Sequence, residues 1–161
     1  MARTFLLRDE IEVHAPIERC FRLSTSVELV QRELGMRPVG GRITGLVASG
    51  DTVQWHGWQL GLPMFHVSLI DSFNSPVFFR DRMIAGRFAT FEHEHNFVDR
   101  HNGTVLMSDE LRFTMPFGKL GEFVGTALLA PHIGALMKRR FALLKRLAEC
   151  DEWKMYLPET S

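Results

Sequence analysis

Between Pro38 and Met115 the sequence runs through six segments that alternate apolar and polar residues with a period of two. After "MPFG" the period becomes helical and stays so to about Glu149. No other feature limits the possible folds as strongly. The six segments are "GRITGLV", "TVQWHGWQL", "FHVSLIDSF", "VFFRDRMI", "RFATFEHEHNFV" and "TVLMSDELRFTM". Between them stand "SGD", "GLP", "NSP", "AGR" and "RHNG", combinations of Gly, Pro, Asn, Asp and Ser that form turns. Strands in such close succession make an antiparallel meander.

A seventh strand opens the chain, where "FLLRDEIEV" sets Phe5, Leu7, Asp9, Ile11 and Val13 against Leu6, Arg8, Glu10 and Glu12. Two short helices follow. "APIERCFRLS" starts at Pro16 and puts Ile17, Cys20, Phe21 and Ser24 on one side, and "SVELVQREL" has Ser26 as its N-cap and Gly35 as its stop. In the last helix Leu120, Phe123, Val124, Ala127, Leu128, Leu136, Met137, Phe141, Leu144 and Leu147 form one broad apolar face. Pro131 predicts a kink or a break near Leu129. The chain therefore reads as α+β: a curved seven-stranded antiparallel sheet around a long C-terminal helix, with the two short helices closing one end. Residues 1–150 form a single domain on this reading, and 151–161 form a loosely held tail.

With 161 residues the chain can bury about 70% of its unfolded surface without staples. Nineteen basic residues balance nineteen acidic ones, which argues against a nucleic-acid partner. The two cysteines, Cys20 and Cys150, lie far apart and fit a reducing, cytoplasmic setting. "MARTFLLRDEIEV" lacks a signal-peptide core and no window has 18 uncharged apolar residues, so no integral membrane association is expected. The run "MKRRFALLKRL" reads as the solvated, dipole-complementing end of the last helix.

Chemistry concentrates in "FATFEHEHNF", residues 88–97. Alternation sends Phe91, His93, His95 and Phe97 to one face, and Glu92 and Glu94 to the other. On the next strand Val105, Met107, Asp109, Leu111 and Phe113 share the inner face. For these faces to coincide, paired residue numbers must sum to an even number, which excludes a simple two-residue hairpin at Asn102-Gly103. A sum of 204 sets His95 opposite Asp109 and His93 opposite Leu111. Asp81 has the parity of Phe79 and Met83, so it joins them. The inner wall is then mostly Phe, Met and Leu around Asp81, His93, His95 and Asp109, with Trp55 also facing inward.

Three readings of these polar residues stay open: a self-satisfying buried pair, a polar spot that orients a ligand, or acid/base or metal chemistry, with His93, His95 and Asp109 as the catalytic candidates. Two histidines on one strand need further ligands to hold a metal, and Glu92 and Glu94 face away. No metal and no cofactor are expected. Nor does the sequence contain a GxSxG elbow or a GxGxxG loop leading from strand to helix.

The element order, with "FFRDRMIAGRFATFEHEHNF" and "GTVLMSDELRFTMPFG", resembles the SRPBCC superfamily, the START-like or birch-pollen-allergen-like helix-grip fold. The positions that carry it are Phe79, Asp81, Gly86, Phe88, His93, His95, Phe97, Thr104, Asp109, Pro116 and Gly118, in the manner of a bacterial ligand-binding subgroup. The resemblance implies a hydrophobic cavity between sheet and helix for lipids, polyketides, sterols or other apolar molecules. It does not imply a reaction, since some relatives are cyclases and others are carriers. The expectation is a binding protein whose small hydrophobic ligand touches Trp55, Phe79, Phe91, Phe97, Met107 and Phe113, with Asp81, His93, His95 and Asp109 at its polar end. The alternatives are a cyclase- or dehydratase-like enzyme and a protein-interaction module with a filled cavity.

Overall fold

The computed structural model describes residues 1–158. Strand β1 (Thr4–Val13) leads to helices α1 (Ile17–Ser24) and α2 (Val27–Leu34). Strands β2 (Arg37–Gly41), β3 (Thr52–Gln59), β4 (Leu62–Asn74), β5 (Phe78–Gly86), β6 (Thr90–Asp99) and β7 (Val105–Thr114) follow. Helix α3 (Gly118–Ala148) then crosses the sheet. The seven strands form one antiparallel sheet in the order β1-β7-β6-β5-β4-β3-β2. Register shifts between Val67 and Ser68 and between Ile70 and Ser72 bend β4 against β5 and curl the sheet toward α3.

The local signals explain most of these boundaries. The Ser26 hydroxyl accepts from the Leu29 amide at 3.3 Å, and Gly35 ends α2 in the left-handed conformation at φ 64°. The β6–β7 pairing has the sum of 204, with His95 opposite Asp109 and a loop spanning residues 100–104. Phe21 of α1 sits among Phe73, Phe79 and Phe97 at 5.2–5.5 Å, edge to face, which fixes α1 over one end of the sheet.

Three expectations need correction. "GRITGLV" is not a strand: β2 lies earlier, at Arg37–Gly41, and Leu46 makes only an isolated bridge to Ser26. The segment 151–158 is not loose, because Asp151–Met155 form a 3-10 turn, Leu157 is buried, and the Arg19 guanidinium lies 4.4 Å from the Trp153 ring centre. The expected tail at 159–161 lies outside the described residues.

The third correction concerns α3. Leu120, Phe123 and Leu128, expected inside, are 69%, 69% and 55% exposed. The side of α3 that meets the rest of the molecule there is glycine. A Cβ on Gly121 would stand 1.8 Å from the Pro116 carbonyl oxygen, and one on Gly125 would stand 2.6 Å from the Phe5 ring. Apolar periodicity cannot register a face made of missing side chains. The expected break at Pro131 is a π turn over Gly125–Leu129, in which the Ala130 amide reaches the Gly125 carbonyl. Beyond it Ile133, Met137, Arg140, Phe141, Leu144 and Leu147 are buried. By length and composition α3 is apolar enough to cross a membrane, the one such helix among the described residues, although its inner side lies on the sheet.

Two helix glycines therefore respond oppositely to substitution. Gly121→Ala forces its methyl into backbone and should cost about 1–3 kcal/mol. Gly134→Ala meets nothing within 4 Å and should add up to about 1 kcal/mol. Urea denaturation of both variants checks the pair.

Candidate functional site

A cavity of about 210 Å³ lies between the sheet and α3, with α2 along one side. Its wall is apolar over the ends of β3 and β4 and on α3, where Val53, Trp55, Met64, Ile70, Leu136 and Met137 face it. One side is polar. There β5 and β6 present Asp81, His93 and His95, while α2 and α3 present Glu33 and Arg140.

The sheet register brings this polar group together. Asp81 lies opposite His93, and His95 lies opposite Asp109, all on the inner face. Asp109 is 4% exposed and accepts from both histidines: His93 Nε2–H donates to Oδ2 at 3.0 Å, and His95 Nδ1–H donates to Oδ1 at 3.1 Å. The tautomers follow because an ionised carboxylate can only accept. Burial alone would raise the pKa of Asp109, but the charges and hydrogen bonds of His95 and His93 outweigh it and hold it well below the usual carboxylate range. The other nitrogen of His95, Nε2, lies 3.1 Å from Asp81 Oδ2. Burial opposes charge on His95, yet Asp109 and Asp81 on either side raise its pKa. Asp81 is itself lowered: its burial is outweighed by the His95 hydrogen bond and by the two histidine charges. Burial and the neighbouring His95 lower the pKa of His93 and favour its neutral form. His93 thus keeps a lone pair at Nδ1, with no partner for it among the described residues.

Behind this row stands Arg140. It donates to Glu33 Oε2 at 3.1 Å and to the Ser24 carbonyl at 3.2 Å, and its Nε lies 3.9 Å from Asp109 Oδ2. Burial would lower its pKa, but Glu33 and Asp109 raise it. Burial raises Glu33 despite the pull of Arg140. Glu33 Oε1 and Arg140 Nε are buried without a partner among the described residues.

Of the candidate residues, Trp55, Phe79, Asp81, Phe91, His93 and His95 line the cavity. Phe97, Met107, Asp109 and Phe113 do not. They occupy the right face of the sheet, but other groups cover that part of it: Phe21 packs on Phe97, Met107 joins the core beneath α1, Phe5 stacks on Phe113 at 4.8 Å, and the two imidazoles cover Asp109. Asp109 orients cavity groups instead of touching cavity contents. Sequence reasoning missed Glu33, His66, His132 and Arg140. Arg140 had a signal, since it continues the three- and four-residue spacing of Ile133, Met137 and Leu144, but its charge assigned it to solvent. Gln59 ties the rim, sharing a hydrogen bond with His132 at 2.7 Å and donating to the Leu34 carbonyl at 2.7 Å.

Neither the family models nor the curated proteins include a match to this sequence. Solved structures do match. TTHA0849 from Thermus thermophilus superposes with a TM-score of 0.70 at 15% identity, over 88% of this chain and 94% of that one. Norcoclaurine synthase from Thalictrum flavum, as a point mutant with a transition-state analogue, gives 0.67 at 13% identity over 92% and 96%. SA2116 from Staphylococcus aureus, a protein of unknown function, gives 0.68 at 13% over 94% and 98%. The chain shares the helix-grip fold of these structures. At these identities the likeness establishes architecture only.

The site makes a direct statement about stability. His95→Phe removes the partner that buried Asp109 shares with half-buried Asp81 and should cost about 3 kcal/mol. Chemical denaturation of the variant at neutral pH measures the loss, whereas a near-neutral substitution would show that the carboxylates find other partners.

Proposed function

We propose that this protein binds a small, largely apolar molecule between the sheet and α3, with a hydroxyl or similar neutral polar group directed at Glu33 and Arg140. The observation that carries this reading is the pair of unpartnered buried atoms, Glu33 Oε1 and Arg140 Nε, on residues at the polar side of a mostly apolar cavity. Buried polar groups normally have partners. A ligand hydroxyl satisfies both, since it can donate to the carboxylate oxygen and accept from the guanidinium N–H.

Size and charge narrow the chemistry. A cavity of about 150 Å³ suffices for benzene, and this one is about 210 Å³. The fit is to one substituted ring or a short branched chain; a sterol or a long acyl chain would require the cavity to widen. Glu33, Asp81 and Asp109 face a single permanent cation, Arg140, so a carboxylate ligand is disfavoured against an alcohol or phenol. The setting is a reducing one, such as the cytoplasm: Cys20 is buried with its thiol pushed up to about 12, and both cysteines are free.

Native mass spectrometry of the purified protein, with Trp55 fluorescence titrations against a panel of small phenols and alcohols, tests the proposal. A stoichiometric small passenger, or saturable binding that weakens at least about tenfold in Val30→Phe, is the expected result. Val30 lines the cavity from α2, so the larger side chain takes up ligand volume. An empty protein that binds none of the panel at millimolar concentration would overturn it.

A further inference from the structure

The geometry points to a second occupant of the same cavity: a divalent transition-metal ion held by Asp81, His93 and His95. This goes beyond the apolar-ligand reading and does not depend on it. One donor atom from each of the three lies within 4.8 Å of the other two, and all three residues line the cavity. Two imidazoles and one carboxylate are a donor set for zinc or ferrous iron, and three protein ligands leave further positions open. Glu92 and Glu94, on the outer face of β6, do not contribute. The third ligand comes from β5, whose Asp81 is registered directly against His93.

What separates this cluster from an ordinary buried ion pair is its support. Metal-bound histidines characteristically donate their other ring N–H to a carboxylate, which fixes tautomer and ring direction. Here one carboxylate does this for both rings: Asp109 accepts from His93 Nε2 at 3.0 Å and from His95 Nδ1 at 3.1 Å. His93 Nδ1 and His95 Nε2 are left as the donors toward the cavity. Asp109 does not line it, so the supporting layer lies behind the ligands. Phe79 stacks on the His95 ring at 4.2 Å and limits its rotation.

Charge agrees. Glu33, Asp81 and Asp109 form a group of acids that Arg140 alone offsets permanently. A divalent ion supplies the missing positive charge. In its absence a proton between His95 Nε2 and Asp81 Oδ2, 3.1 Å apart, partly does so. The ion replaces that proton: the N–H bond of Nε2 breaks, a metal–nitrogen bond forms with the same electron pair, and one proton leaves to solvent for each ion bound. Ligand bonds of about 2.0–2.2 Å set donor atoms about 3.3 Å apart. His95 and Asp81 already stand near that spacing, and a donor atom of His93 lies within 4.8 Å of both residues' donors.

The test is a titration of the full, chelator-treated protein with Zn(II) by calorimetry and with Co(II) by visible absorption, without any organic ligand. The expected result is one ion per chain with a Kd of about 10 µM or tighter and a Co(II) band of nitrogen-ligated intensity. Asp81→Asn keeps an acceptor for His95 but removes the anionic ligand, and His93→Gln removes one imidazole while keeping a polar side chain. Each should weaken binding by about 100-fold or more, and Asp109→Asn by about 10- to 100-fold. Replacing the exposed His101 by Ala should change nothing. Thermal melts keep the variants interpretable, because Zn(II) should raise the Tm of the native protein but not that of Asp81→Asn. Binding no tighter than about 1 mM, or equal affinity in the native protein and both ligand variants, would overturn the inference. Failure would leave the organic-ligand reading standing, because the two titrations share no probe.

Discussion

The polar side of the cavity depends on one buried carboxylate. Asp109 receives a hydrogen bond from each of two histidines and faces Arg140, and those three positive or polarised neighbours keep it ionised in spite of its burial. Without it the His93 imidazole would have no carboxylate to fix its tautomer, His95 would keep only Asp81, and Arg140 would lose the second of its two anionic neighbours. Burying such a group is expensive unless all its partners are present. The partners come from β6 and α3, and Asp109 itself from β7, so the charge arrangement and the fold assemble together.

The shape of the cavity follows from a contrast along α3. At Gly121 and Gly125 the helix comes close to its neighbours with no side chain between, and at Phe141, Leu144 and Leu147 it packs through large side chains into the core. Between these two anchors, near Ile133, Leu136 and Met137, the curled sheet stands away from the helix and the open space lies there. The π turn at Gly125–Leu129 absorbs the change of register between the halves, immediately before Pro131, whose missing N–H would break an α-helical ladder. Gln59 closes the rim by joining the end of β3 to α2 and to His132.

Much of this was legible from period and parity. The alternation in "FATFEHEHNF" and "TVLMSDELRFTM" is strict, so parity brought Asp81, His93, His95 and Asp109 to one face, and the loop length, which gives the sum of 204, sets His95 against Asp109. What parity could not supply was depth. Phe97, Met107 and Phe113 share the inner face with His95, but whether a residue there meets a cavity or a helix depends on where α1 and α3 land. Glu33 and Arg140 were assigned to solvent for a different reason. A charged residue on a helix is ordinarily solvated, and only the three-dimensional pairing of α2 with α3 makes burial tolerable for both. The glycine face of α3 left no apolar signal at all, and the exposed Leu120 and Phe123 gave a misleading one.

Control of the histidine tautomers by Asp109 is tested most directly by nitrogen-15 NMR of the imidazole rings at neutral pH in the metal-free protein. His93 should carry its proton on Nε2 with Nδ1 bare, and His95 should be protonated on both nitrogens, bridging Asp109 and Asp81. A proton on His93 Nδ1, or a neutral His95, would mean that Asp109 does not organise the wall, and the site described above would have to be rebuilt.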